Sequence, residues 1–223
     1  MNLLLINTCA AESLVALATE RGIVAEEALA ARSTSEQMLP ALRRLFDLAG
    51  IKAAELTAVV VVHGPGSFTG VRVGLSAAKG ICDAAGCGLI AISRLALVAS
   101  AAHEEDREVL ALLDAGRSEF FAGAYAGRQK VFERLVNRAE LGELLPGRFA
   151  VACEAAVSSA VGESAGLRFL AEPDARAILA EALRLMDAAD WSQRATEAVA
   201  SIDANYLRRT DAELLQERLA QKQ

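Results

Sequence analysis

One arrangement occurs twice along this chain of 223 residues and constrains its fold more than any other feature. Three short apolar runs separated by turns come first, then a helical stretch, then another apolar run. In the first copy the runs cover residues 3–6, 13–19 and 23–29, with turn signals at 7–12 and at Glu20-Arg21-Gly22, and they read as a three-stranded antiparallel meander. From Ser35 the period changes: Leu39, Leu42, Leu45, Phe46 and Ala49 share one helical face, Ser33 or Ser35 caps the start, and Gly50 ends it. Pro40 moves the expected start later than Ser35, because proline belongs in a helix's first turn. A strand at 57–62, a glycine-rich loop, a helix over 70–85, a strand at 89–92 and a helix from Ser93 complete this copy. The second copy runs through strands at 108–113, 119–125 and 130–135, a helix at 139–145 and a strand at 149–153. This is an internal duplication of architecture, and meanders mixed with alternating helices and strands make an α/β fold. The charged stretch 102–107 is the expected linker. A capping box, Thr210-Asp-Ala-Glu213, opens a last helix with Leu214, Leu215 and Leu219, expected to fold back on the first half.

Composition narrows the function classes. Hydrophobic residues make up 53% of the chain but aromatics only 4%, and 47 residues are alanine, so small side chains suited to close helix packing dominate. A net charge of −6 lacks the global basic field of an autonomous nucleic-acid binder. Only Lys52, Lys79, Lys130 and Lys222 are lysines, so most positive charge sits on arginine, the residue suited to specific ion pairs. Cys9, Cys82, Cys87 and Cys153 form neither a CxxC pair nor a zinc spacing, and no signal peptide is recognised, so a cytoplasmic location is expected. Two histidines, His63 and His103, leave little material for a histidine-based metal centre. The longest apolar runs, 58–62 and 95–102, fall short of the roughly 20 residues that span a bilayer, so a soluble chain is expected.

The strongest local signal is His63-Gly64-Pro65-Gly66-Ser67-Phe68-Thr69-Gly70-Val71-Arg72-Val73-Gly74-Leu75, between a buried strand and a helix. Glycines there permit a sharp turn and expose N–H groups at a helix N-terminus, which makes Gly64, Gly66, Ser67 and Thr69 a candidate anion-binding loop. It is no P-loop, since GxxxxGK[ST] and its lysine are missing, and no Rossmann fingerprint, since Thr69 stands where the third glycine would fall. A tight turn that binds nothing is the competing reading.

The pattern GPGSFTGxRxGL resembles that of the TsaB family (older name YeaZ). Residues 114–125 look like that family's LDARxxEVYxGxY segment, Ser35-Glu36-Gln-Met38-Leu39-Pro40 like its HSExLLP, and Asn205-Tyr206-Leu207-Arg208 like its P-x-Y-L-R. The resemblance covers nearly the whole chain. It implies an actin-like (ASKHA) fold of two ribonuclease-H-like, mixed-sheet subdomains, here at 1–103 and 104–205, with 206–223 as a helix returning to the first. It also implies a cytoplasmic, non-catalytic subunit of tRNA threonylcarbamoyladenosine synthesis. Such a subunit supports the catalytic TsaD, with the ATPase TsaE, in moving a threonylcarbamoyl group onto the adenosine beside the anticodon. On that reading the chain itself needs no cofactor or metal, and it meets tRNA only through the complex.

The same resemblance puts the partner surface on the helices at 35–49 and 70–85. The expected interface residues are Glu36, Met38, Leu39, Leu42, Phe46, Gly70, Arg72, Gly74, Leu75 and Lys79, and a homodimer through the same helices is a further expectation. Against this stands packing inside the monomer, and for Arg72 a carboxylate that caps the loop. Two departures bear on chemistry: Asn7-Thr8-Cys9 stands where relatives begin with Asp-Thr-Ser, and Thr34 where the HSE histidine is common. A neutral Asn7 is a weaker ligand for a hard cation than aspartate, which speaks against ATP hydrolysis. The alternative function is an ATP-dependent kinase or ATPase of the actin-like superfamily, because the turns at 7–12 and 114–118 occupy that fold's phosphate-binding places.

Other candidates read as structural. Asp114 and Glu119 flank a turn, Cys9 is more simply a buried thiol than a nucleophile, and His63 anchors its loop. His103 belongs to the linker surface, Trp191 to an apolar anchor between the last helices, and Ala204 replaces the family's proline.

Overall fold

Leu3–Asn7, the first strand (β1), is buried along its whole length, as a continuous apolar run must be when both faces of its sheet are covered. It pairs antiparallel with β2 (Ser13–Thr19) and parallel with β4 (Ala58–Val62), Leu3 opposite Ala58 and Asn7 opposite Val62. With β3 (Gly22–Leu29) and β5 (Gly88–Ile92) outside these, the order is β3-β2-β1-β4-β5. The second sheet uses β6 (Glu108–Gly116), β7 (Glu119–Ala126), β8 (Gln129–Asn137), β9 (Phe149–Ala152) and β10 (Arg168–Phe169), in the order β10-β9-β6-β7-β8. Strand for strand this repeats the first order, so the duplication read from the sequence exists as topology. The computed structural model describes residues 1–30, 33–161, 166–187 and 199–207; Trp191, Arg208 and the 210–223 segment lie outside them.

Period-2 alternation sends neighbouring residues of each central strand to opposite layers. Leu4, Ile6, Val59 and Val61 point to α1 (Thr34–Ala49) and α2 (Phe68–Ala85), and share a core with Met38, Leu42, Leu45, Leu75 and Ala78. Pro40 does lie inside α1, whose start at Thr34 is earlier than the sequence suggests. The cost is reduced because Glu36, whose carbonyl loses the i to i+4 bond, and Pro40 are both on the water side.

The opposite layers are exchanged between the halves. Leu3, Leu5, Val60 and Val62 pack against Ala175, Ile178, Leu179 and Ala182 of α6 (Ala175–Met186), a helix that comes from the second half of the sequence. Conversely α3 (Arg94–Ser100), from the first half, presses Leu95, Val98 and Ala99 onto Val109, Ala111 and Leu113 of β6. The far face of the second sheet carries α4 (Arg138–Leu144) and α5 (Ala155–Val161), with Leu141, Leu144 and Val157 buried. Each half thus supplies the covering layer of the other sheet. Among the described residues no helix is long and apolar enough to cross a membrane.

Ile178 is fully buried in this exchanged layer. Replacing it with alanine removes the apolar contact and leaves a cavity, and a loss of about 2–5 kcal/mol is expected. Urea unfolding should show a lower midpoint at an unchanged slope.

Candidate functional site

The parallel pairing of β1 and β4 makes their following loops, Asn7-Thr8-Cys9 and the glycine-rich segment, emerge side by side from one sheet end. They lie so close that three glycines spaced four apart have no room for a side chain. A Cβ on Gly66 would stand 2.2 Å from the Cys9 carbonyl oxygen, on Gly70 1.8 Å from that of Thr8, and on Gly74 2.3 Å from the Thr8 hydroxyl. Hydrogen bonds fasten the contact: Thr8 Oγ1 donates to the Gly70 carbonyl at 2.6 Å, and the Ser67 N–H to the Cys9 carbonyl at 3.0 Å. Ser67 also caps α2, its Oγ accepting from the Gly70 N–H at 3.2 Å. Gly64, at φ +104°, meets Val71 and the Asn205 carbonyl, while its own carbonyl accepts from the Arg94 N–H at 2.8 Å. Of the four residues expected to cradle an anion, Ser67 has its N–H turned to protein, Gly64 and Gly66 serve close packing, and Thr69 is exposed.

Beside this contact runs a crevice of about 300 Å³ between the halves, lined by Ser13, Thr34, Ser67 and Thr69 hydroxyls and by Arg94, Asp114 and Glu154. Arg94 is only 2% exposed. Its Nε and Nη2 donate to both oxygens of Glu172 at 2.8 and 2.6 Å, and its Nη1 to Glu154 at 2.9 Å. Burial opposes the guanidinium charge, but these two carboxylates more than offset it, and the Arg94 pKa is raised. Glu154 in turn accepts from the Asp114 N–H at 2.5 Å. The crevice therefore carries a neutralised arginine among acids, an electrostatic setting that disfavours phosphate. Asn7 is buried with its side-chain oxygen turned back to the Cys9 N–H and thiol at 3.3 and 3.2 Å. Among the described residues no group of three or more His, Cys, Asp or Glu side chains is placed to hold a metal ion.

The individual candidates resolve in the same direction. Cys9 is buried, which pushes its thiol up to about 12, far from the pKa of a nucleophile. Asp114 spends one carboxylate oxygen on its own turn, accepting from the Gly116 N–H at 2.8 Å. The His63 ring sits with Nδ1 3.0 Å from the Asp203 carbonyl oxygen, so it anchors the loop as expected.

Half of the expected interface residues face inward. Met38, Leu42 and Leu75 are core, and Gly70 and Gly74 are pressed on Thr8; amphipathic helices must bury one face on their own sheet, and these positions lie on it. Glu36 and Arg72 are exposed, Leu39 is 71% exposed, and Phe46 and Lys79 are half-buried. The carboxylate cap considered for Arg72 is replaced by a phenol: Arg72 Nε donates to the Tyr206 hydroxyl at 2.8 Å. Sequence reasoning missed Arg94, Glu154 and Glu172, which come together from 60 and 78 positions apart. A lone charge opening the apolar run Leu95–Ser100 was the available signal.

The thiol shift has a consequence for stability. Because the folded Cys9 pKa of about 12 lies above the reference value of 9.0, the native state keeps a proton that the unfolded state releases. This stabilisation is complete below pH 9 and is lost as pH rises towards 12, at about 1.4 kcal/mol per pH unit. Urea midpoints measured at pH 8.5 and above should fall less steeply for Cys9→Ala than for the parent chain.

A family model described as TsaD, tRNA N6-adenosine threonylcarbamoyltransferase, matches residues 8–143. The tRNA threonylcarbamoyladenosine biosynthesis protein TsaB of Escherichia coli (strain K12) is 31% identical over 127 residues, which are 56% of this chain and 55% of that protein. The TsaB protein of Haemophilus influenzae is 34% identical over 122 residues, 54% of this chain and 49% of that one. The matches thus span about half the length of these curated relatives. A Pseudomonas aeruginosa crystal structure described as an uncharacterized protein with similarity to peptidase YEAZ shares the fold, with a TM-score of 0.73 at 23% identity over 93% of this chain and 99% of that one. With more than half of its length under one family model, the chain belongs to the family this model describes, and its relatives group it with the TsaB (YeaZ) members.

Proposed function

We propose that this chain is an accessory subunit of tRNA threonylcarbamoyladenosine biosynthesis that docks the outward face of α1 and α2 on the threonylcarbamoyltransferase TsaD. One observation carries the docking: Gly80, in the middle of α2. Glycine inside a helix costs about 1 kcal/mol relative to alanine, so it needs a reason. Gly70 and Gly74 of the same helix have one in Thr8, but a Cβ on Gly80 would meet nothing within 4 Å and its φ is not positive. Ser76, Gly80 and Ala84, four apart and all exposed, form a smooth stripe on α2, and Leu39 stands exposed on α1. A helix of another subunit approaching this stripe supplies the reason that the monomer lacks.

The crevice supports a non-catalytic role. Its thiol is protonated, Asn7 is folded into its own turn, and Arg94 is neutralised by Glu154 and Glu172, so chemistry is left to the partner. The same features weigh against the ATP-dependent enzyme. Any role for TsaE and any contact with tRNA then run through the TsaD complex in the cytoplasm, and a homodimer through α1 and α2 competes for the same face.

Size-exclusion chromatography of the chain mixed with TsaD at micromolar concentration tests this reading. The wild type should co-elute with TsaD, Gly80→Leu should elute separately, and Gly80→Ala should co-elute while gaining about 0.5–1 kcal/mol in urea unfolding. Separate elution of the wild type, or co-elution of Gly80→Leu, overturns the reading; the position of the chain alone reports the homodimer.

A further inference from the structure

At the N-terminal end of the α2 stripe, three side chains form a preassembled surface cluster. The Arg72 guanidinium carbon lies 3.8 Å from the centre of the Phe68 ring and 5.8 Å from that of Tyr206, and the two rings are tilted at 35° with centres 5.4 Å apart. The Tyr206 hydroxyl oxygen accepts a hydrogen bond from Arg72 Nε. Both rings remain exposed, Phe68 at 45% and Tyr206 at 42%. They are held there deliberately by the backbone: the Asn205 N–H donates to the His63 carbonyl at 2.9 Å, and the Asn205 side chain donates to Glu133 at 2.6 Å, which pins the Tyr206 segment across both halves.

Stacking and the bond at Nε fix the plane of the guanidinium but use only one of its five donors. Among the described residues no carboxylate lies within ion-pair distance of Arg72, so no ion pair of this chain takes up its Nη edge. An arginine stacked on one face, anchored at Nε and open along Nη is arranged for a carboxylate that approaches edge-on. Next to it lies a cavity of about 590 Å³ whose lining includes the apolar Pro65, Val71, Phe121 and Leu207 together with Asp114 and Arg117, and the apolar part has room for an apolar side chain beside that carboxylate. Arginine and tyrosine are among the residue types that dominate binding energy at protein interfaces.

We propose that Phe68, Arg72 and Tyr206 form an anchor for an acidic side chain of the partner subunit, flanked by an apolar residue that enters the neighbouring cavity. The anchor rests on the docking reading above, since Arg72 continues the exposed line Arg72, Ser76, Gly80 along α2. It adds that the contact is charged at this end, with this chain supplying the base and the partner the acid. An RNA phosphate would also satisfy an arginine, but a chain of net charge −6 lacks the basic field on which RNA binding draws.

Calorimetric titration of TsaD into the chain at 50 and 300 mM salt reads the anchor directly. The wild type should weaken with salt; Arg72→Met, which keeps the stem but not the charge, should bind at least about tenfold more weakly and with a flatter salt response. Tyr206→Phe, which keeps the ring and removes the hydroxyl that orients Nε, should fall between them, with both variants retaining the parent urea midpoint within about 0.5 kcal/mol. If the wild type binds TsaD and Arg72→Met matches it in affinity and salt response, the anchor is overturned while the docking reading stands. If the wild type does not bind, both fall. If tRNA alone binds the wild type but not Arg72→Met, the anchor is an RNA contact and the proposal is wrong.

Discussion

Backbone meets backbone at the end of β1 and β4, and the rest of the molecule is arranged around that contact. Two adjacent parallel strands release their loops side by side, and here the segment after β4 and the start of α2 press so closely on Thr8 and Cys9 that a Cβ does not fit. Gly66, Gly70 and Gly74 remove the side chains on one side, and Thr8 closes the seam by donating to the Gly70 carbonyl. The start of α2 is thereby fixed against the first turn, and with it the direction in which Arg72, Ser76 and Gly80 face solvent. A Cβ at Gly70 would collide with the carbonyl oxygen of Thr8, the residue directly after β1.

The exchanged helices make the two sheets one structure. α3 covers the second sheet and α6 the first, so neither sheet keeps both of its layers without the other half of the chain. Arg94, at the first position of α3, stands where this exchange crosses the crevice and ties the halves through Glu154 and Glu172. Asn205 makes a second tie, to His63 on one side and Glu133 on the other. A crevice spanned in this way is braced, and its one arginine is already engaged.

The surface and the crevice thus divide the chemistry. In and around the crevice, polar groups pair with one another: Asn7 with Cys9, Asp114 with Gly116, Cys153 with Glu172 at 3.0 Å. Outside, α1 and α2 show what the monomer leaves unexplained, an unobstructed glycine, an exposed leucine and an arginine held in place without an acid.

Much of the fold was legible because strands and helices announce themselves through period and punctuation. The meander pattern, Gly50 as the left-handed end of α1, and the repeated order all follow from residues close in sequence. The glycine-rich segment was legible as a sharp turn, but its purpose was not, since the atoms it makes room for belong to Thr8 and Cys9, more than fifty positions away. Helical period identifies an apolar face on α1 and α2 but does not tell interface from core, and of the two readings open for Met38, Leu42 and Leu75 the structure takes packing inside the monomer. The duplicated α/β architecture, the strand-to-helix turn and the family motifs are written in local spacing and can be read along the chain. The trade of α3 and α6 between sheets, the neutralised Arg94 beside an Arg72 without an acid, and the open space at Gly80 depend on distances between residues that meet when the chain folds, so they are visible in three dimensions alone.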